Sequence, residues 1–323
     1  MSGEEPRVRE AVRAGGLLAQ DRPLVAMLSG GRDSVCLLDV AVALCEPGDV
    51  SALHVNYGLR EQAGGDERHC RALCERLGVR LEVVRAGAPP SGDPAGSGSG
   101  NLQAWARELR YRAAERMAVK DDALIATGHT ASDQVETILY RLAASPGRRA
   151  LQGMVASEGR LIRPLLGLTR EQTAAYCEAR GLSWQEDESN DSELFARARV
   201  RHGLLPALRA VHPAAEANVL RTAWLLREET ALLAELVAKE LDGRRSIAIA
   251  RLRAMPAALA RLVVVSLAEQ ATGAYVPQAG DRVAEILALD RRGGPAELHV
   301  GGQACAVISG GVLEMRRLPP RSD

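Results

Sequence analysis

From Leu24 onward the chain repeats one pattern: a short apolar run, a polar turn, and then a longer stretch whose apolar residues recur at helical spacing. Residues 24–28 lead through SGGRDS into SVCLLDVAVALC. Residues 50–55 precede a helical stretch over 66–77, residues 80–84 precede one over 102–119, and residues 123–127 run into a helix from about Ser132. Antiparallel neighbours can be joined by a two-residue turn, but parallel neighbours need a crossover of about a dozen residues or more. The spacing therefore predicts an α/β fold over residues 1–210, a parallel sheet with helices on both faces. Ligands of such sheets sit beyond the carboxyl ends of the strands, so the residues that follow each strand carry the chemistry.

After Pro213 the strand signals cease. Residues 214–241 read as one long helix, 257–269 and 279–289 as further helices, and the terminal ELHVGGQACAVISGGVLEMRR as two or three short strands with Gly-Gly turns. A smaller, mainly helical C-terminal domain is expected over residues 211–323. Residues 86–100, AGAPPSGDPAGSGSG, are too poor in apolar side chains to join a core and are expected to form a mobile surface loop.

Lys+Arg 41 balance Asp+Glu 41, so affinity for nucleic acid must come from a local patch. Nearly all the cations are arginines; the lysines are Lys120 and Lys239. Aromatic content of 3% excludes base stacking as the main binding mode. Cys36, Cys45, Cys70, Cys74, Cys177 and Cys305 form neither a CxxC pair nor a disulfide scaffold, which argues against zinc and for reduced thiols in a cytoplasmic protein. No run approaches the ~18 apolar residues of a membrane span, and MSGEEPRVREAVR lacks an apolar signal core, so no membrane partner is expected.

Ser29-Gly30-Gly31-Arg32-Asp33-Ser34 stands at a strand-to-helix junction and has neither Walker nor GxGxxG spacing. Two glycines let the backbone approach an anion, and the helix start and two hydroxyls supply donors, the makings of a pyrophosphate cradle. Asp33 inside an anion site makes sense as a holder of Mg²⁺ shared with the phosphates. A plain glycine turn with Asp33 or Ser29 as helix cap is the alternative. In GHTASDQVET, Asp133, Glu136 and Thr137 share one helical face near His129, and two carboxylates and an imidazole would converge; capping explains the same spacing. His54 closes a strand in HVNYGLR. Arg107 and Arg110 share a face and could meet phosphate, or be solvated surface arginines; after Arg163 and Arg170, the acidic WQEDESN and the alternate arginines Arg197, Arg199 and Arg201 could place both signs of charge around one site, or form an ordinary ion-paired surface.

In this order the blocks SGGxDS, HVNxxLR, N..A-R..RY, GHxxxDQxET and RPLL…W.ED.SN…R.R.R…LP.L resemble the tRNA(Ile)-lysidine synthetases of the N-type ATP-pyrophosphatase (PP-loop) group, over about residues 24–210. The resemblance implies ATP-dependent ligation of L-lysine to the wobble cytidine of a tRNA(Ile) with a CAU anticodon, by way of an adenylated tRNA. It implies an ATP site at Ser29, Gly30, Gly31, Arg32, Asp33, Ser34 and His54, with Mg²⁺ on Asp33. Asp133 and Glu136 would bind lysine, and Asp33, His129, Asp133 and Arg201 would be catalytic. Arg107, Arg110, Arg197 and Arg199 would hold tRNA, and a homodimer is compatible with the reading. Thr130 and Ser132 stand where many relatives carry a second His and a second Asp, and Tyr57 where a His is frequent, so the resemblance supports no metal or proton-transfer role at those three. A tRNA thiolase would need paired or catalytic cysteines, for which Cys70 and Cys74 are poorly spaced, and a non-catalytic paralogue would be expected to lose Asp33 or the glycines.

Overall fold

The computed structural model of the protein describes residues 3–18, 21–46, 48–58, 63–87, 99–145, 147–185, 196–289 and 294–319. Two compact units follow each other along the chain, Met1–Trp224 and Leu225–Asp323, and the division falls inside one long helix.

The strands of the first unit are β1 (Leu24–Met27), β2 (Val50–Asn56), β3 (Arg80–Arg85), β4 (Leu124–Ala126), β5 (Ser157–Glu158) and β6 (Leu161–Ile162). They form one sheet in the order β3-β2-β1-β4-β6-β5, parallel except for the β5–β6 pair. The helices are α1 (Glu4–Ala14), α2 (Arg32–Leu44), α3 (Ala63–Leu77), α4 (Ser99–Asp121), α5 (Ala131–Ala144), α6 (Arg148–Leu151), α7 (Arg170–Ala179), α8 (Ala196–Arg199) and α9 (Leu205–Val211). A π-helical turn, Val200–Leu204, joins α8 to α9.

Strand alternation sorts the core into two layers. Leu24, Ala26, Val50 and Ala52 pack with Val8 and Val12 of α1, with α2, with Cys70 and Leu73 of α3, and with Tyr176 and Cys177 of α7. Val25, Met27, Leu53, Val55 and Ile125 pack with Ala113, Ala114, Met117 and Ala118 of α4. Both faces are covered, which is why these strands read as unbroken apolar runs. The strand order changes direction at β1, with β2 on one side and β4 on the other, and the ends of β1 and β4 are the switch point at which sheets of this kind bind their ligands.

The expected α/β architecture is present. Helix α1 escaped the sequence reading because only Val8 and Val12 mark its buried face amid charged residues. Of the loop expected over 86–100, residues 88–98 lie outside the described residues, and Ser99 and Gly100 begin α4.

Helix α10 (Ala215–Leu241) leads into the second unit, which holds β7 (Ser246–Ala248), α11 (Ile249–Ala254), α12 (Ala257–Thr272), a 3₁₀ turn (Pro277–Arg282), α13 (Val283–Leu289), β8 (Ala296–Gly301), β9 (Ala304–Ser309) and β10 (Val312–Arg317). Its strands form an antiparallel sheet, β7-β10-β9-β8, over a core that includes Val263, Leu267, Ile286, Ile308 and Leu313. The helix expected over 279–289 is split: a Cβ on Gly280 would stand 3.1 Å from Val265 Cγ2, and the 3₁₀ turn allows that close approach to α12. No helix among the described residues is long and apolar enough to cross a membrane.

Candidate active site

Beyond β1 the chain turns through Ser29, Gly30 and Gly31 into α2. Gly30 has φ +89°, a conformation that side chains rarely adopt. Gly31 is the N-cap of α2 and no side chain caps it, so neither Ser29 nor Asp33 plays the capping role open to it in the sequence. The serines brace the turn instead. Ser29 Oγ accepts from Gly31 N–H at 3.3 Å and stands 3.1 Å from Ser34 Oγ, which donates to the Gly31 carbonyl at 2.7 Å. The first-turn N–H groups of α2 are left without a side-chain acceptor, the arrangement that receives an anion. His54 lies buried at the end of β2 and supports the turn: its Nδ1–H donates to the Leu28 carbonyl at 2.9 Å, beside Cys70 Sγ at 3.4 Å.

The loop after β4 packs hard against this turn. A Cβ at Gly128 would lie 2.9 Å from the carbonyl carbon and oxygen of Asp33. Thr130 then caps α5 in a reciprocal box with Asp133: Asp133 Oδ2 accepts from Thr130 N–H at 2.8 Å and from its hydroxyl at 2.9 Å. Capping and site chemistry, alternatives for Asp133 in the sequence, are thus combined, because Asp133 Oδ1 accepts from Arg170 at 2.6 Å. Glu136 caps nothing. It is 3% exposed, its Oε1 accepts from Arg170 at 2.9 Å and from Arg201 Nε at 2.8 Å, and its Oε2 accepts from Arg201 at 3.2 Å.

Arg170 is the residue that sequence reasoning left without a role. The Thr169/Gln172 capping box sets it at the first position of α7, and there its guanidinium joins three elements. Its Nε stands 3.9 Å from Asp33 Oδ2, while Asp33 Oδ1 accepts from Thr173 Oγ1 at 2.5 Å and from Arg32 Nε at 3.3 Å. Asp33, Asp133 and Glu136 are thus matched by Arg32, Arg170 and Arg201, three acids against three guanidiniums. Burial pushes the Asp133 carboxyl up, but Arg170 and the Thr130 donors outweigh it and hold it below the ordinary carboxylate range.

His129 sits between this cluster and a positive one. Its Nδ1 lies 2.8 Å from Thr127 Oγ1. Burial, reinforced by Arg163, Arg107 and Arg110 against the pull of Asp133, pushes the imidazole down to about 4, so it is neutral near pH 7. Arg107 is exposed, its guanidinium carbon 4.7 Å from the Tyr111 ring centroid, and that of Arg110 is 5.9 Å from it. The alternate arginines do not act as one group: Arg201 turns to Glu136, whereas Arg197 and Arg199 are exposed on α8. The acidic block after Trp184 lies, from residue 186 to 195, outside the described residues.

A glycine turn after β1 opposed by a histidine-and-acid loop after β4 on a parallel sheet is the build of a PP-loop domain, and the sequence pattern of the PP-loop domain matches residues 5–208. The chain is 39% identical over 224 residues to the tRNA(Ile)-lysidine synthase of Pseudomonas aeruginosa, covering 67% of this chain and 49% of that protein. It is 38% identical over 220 residues to that of Pseudomonas fluorescens, covering 66% and 48%. With that of an Azoarcus species it shares 35% identity over 316 residues, 94% of this chain and 67% of that protein. The chain belongs to the tRNA(Ile)-lysidine synthase family. It spans about half the length of the Pseudomonas relatives. Among solved structures, a tRNA thiolase from Methanococcus maripaludis shares the fold at 18% identity and a TM-score of 0.57, over 69% of this chain and 79% of that one.

Proposed function

We propose that the protein ligates free L-lysine to C2 of the wobble cytidine of a tRNA(Ile) with a CAU anticodon at the expense of ATP. Cytosine O2 attacks the α-phosphorus, pyrophosphate leaves, and the lysine ε-amine then displaces AMP from C2. The observation that carries this reading is the acidic cluster beside the glycine turn: Asp33, Asp133 and Glu136 already hold a guanidinium on an alkyl stem, and the lysine ε-ammonium is a ligand of the same kind.

The other parts find work in this scheme. The turn from Ser29 to Ser34 takes the leaving pyrophosphate on backbone donors. An ammonium cannot attack carbon, so the amine must lose a proton; His129, neutral because its pKa is pushed down to about 4, is a weak base for that step and is assigned to orienting the free amine beside Asp133. Arg201 offsets charge at Glu136. Asp33 Oδ1 is taken by Thr173 and Arg32 while its Oδ2 accepts no hydrogen bond among the described residues, so Asp33 would hold a nucleotide-bound Mg²⁺ through that oxygen, and the ion would supply charge neutralisation there. Arg107, Arg110, Arg197, Arg199 and the chain from residue 211 onward are assigned to tRNA. The buried Cys70 and Cys74 thiols, pushed by desolvation up to about 12 and about 11, suit no sulfur transfer.

Incubation with ATP, labelled lysine and total tRNA is expected to place label in one isoleucine acceptor. Lysine incorporation without ATP, or pyrophosphate release that does not depend on tRNA, would overturn the assignment.

A further inference from the structure

The arginines that anchor the first unit meet carboxylates: Arg170 and Arg201 meet Glu136, and Arg9 and Arg180 meet Asp39. Arg163 differs. It follows β6, is 6% exposed, and pairs with no acid among the described residues. Its Nη1 donates to the Val155 carbonyl at 2.6 Å, and its Nε is buried without a partner. A guanidinium does not relieve such a position by losing its proton, and one neutral carbonyl does not replace the solvation it has lost. A cation so placed calls for an anion.

Strand register locates the demand. Ala126 of β4 is level with Ile162 of β6, and Thr127 N–H donates to the Ile162 carbonyl at 3.1 Å, which sets Arg163 alongside the segment that presents His129. Arg107 and Arg110 act on the same imidazole from α4. Neither pairs with an acid among the described residues, and Arg110 Nε, like that of Arg163, is buried without a partner. All three guanidiniums thus hold the imidazole down while Asp133 draws it up, and Leu161 of β6 packs on the same apolar cluster as Leu109 and Tyr111 of α4, which brings the two arginine-bearing segments together.

We infer that Arg163, with Arg107 and Arg110, forms an anion subsite beside His129 that receives a phosphate group, Arg163 being its buried anchor. The choice of phosphate rests on the function proposed above, in which the nucleotide and the tRNA backbone offer the same chemistry. The subsite lies beyond β4 and β6, next to the loop after β4 that packs on the glycine turn beyond β1. A phosphate chain or a nucleotide strand held at the glycine turn would then have a second set of donors within the same strand-end region.

Two variants test this in the intact protein. Arg163→Gln keeps a donor for the Val155 carbonyl and removes the charge, and Arg163→Lys keeps the charge and removes the fork. Inorganic pyrophosphate binding is followed by calorimetry, and tRNA binding by filter retention across a salt series. If the phosphate belongs to the nucleotide, the pyrophosphate Kd of Arg163→Gln rises about tenfold or more, Arg163→Lys falls between, and tRNA affinity holds. If it belongs to the tRNA backbone, pyrophosphate binding holds, and the tRNA Kd rises with a salt slope smaller by about one. In either case unliganded Arg163→Gln melts no lower than the parent, because an unpaired buried charge has been removed. Both affinities within twofold of the parent overturn the inference; so does a large fall in melting temperature, which would mean that Arg163 has a counter-charge within the protein. Neither readout requires lysine ligation, so failure of the proposed reaction and failure of the subsite are separable.

Discussion

Arg170 holds together the acids assigned to lysine, and its removal should be repairable by lysine itself. In Arg170→Ala, Asp133 loses a 2.6 Å partner, Glu136 loses one at 2.9 Å, and Asp33 loses a guanidinium at 3.9 Å. Breaking buried pairs by deleting one member costs about 3–5 kcal/mol, and the arginine side chain is 21% exposed, which favours the lower end, about 3 kcal/mol. For a unit of this size that is roughly 6–12 °C in Tm. A ligand at a hundred times its Kd returns about 2.7 kcal/mol, so saturating lysine should restore most of the loss. Parent protein should gain less, because lysine must first displace Arg170 from the same oxygens. Norleucine, which has the stem without the ammonium, should do nothing for either protein. The assay is thermal unfolding of both proteins with and without each amino acid. The reasoning is refuted if the variant melts like the parent, if norleucine matches lysine, or if lysine raises both proteins equally.

Glu136→Gln should raise the lysine KM at least about tenfold while tRNA-dependent pyrophosphate release measured without lysine changes much less, and equal losses in the two half-reactions would assign Glu136 to the nucleotide instead. Gly128→Ala forces a methyl against the Asp33 backbone at 2.9 Å, so it should cost about 1–3 kcal/mol in urea unfolding and weaken nucleotide binding with it; normal nucleotide affinity would show that the two loops are not coupled. His129 carries a pKa of about 4 in the folded protein, below the ordinary 6.5, so the unfolded chain binds the extra proton between these values. Stability is complete above about pH 6.5 and is lost by about 2–3 kcal/mol as pH falls toward 4, and His129→Gln should remove that part of the loss.

What the sequence made legible was local. The strands after Pro23 and Gly48 are buried on both faces and read as apolar runs, and the glycines of SGGRDS stand where a strand yields to a helix. Asp133 and Glu136 are one turn apart whatever surrounds them. Partnership was not legible. Nothing near Arg170 in the sequence says that the start of α7 abuts α2 and α5, and nothing near Arg163 says that β6 pairs with β4. Strands as short as β5, β6 and β7 carry two or three residues and no readable period. The alternate arginines show the same limit: period two suggests one edge, but on a helix Arg197 and Arg199 part company and Arg201 belongs to a wider turn.

That wider turn bears on how the segment tolerates changes in length. Val200 and Leu205 both pack on Val135 and Leu139, and Leu205 N–H donates to the Val200 carbonyl. Five residues apart in regular α geometry, they would point about 140° away from each other; the π turn brings them onto one side. Deleting His202 would leave the two anchors four apart, still on one side of an ordinary helix, with Arg201 still following Val200. Adding a residue at the same place would swing Leu205 about 100° off its seat. Most connecting segments accept insertions more readily than deletions; here the asymmetry is reversed, and homologous chains that differ in length at this point should be shorter by one residue and not longer.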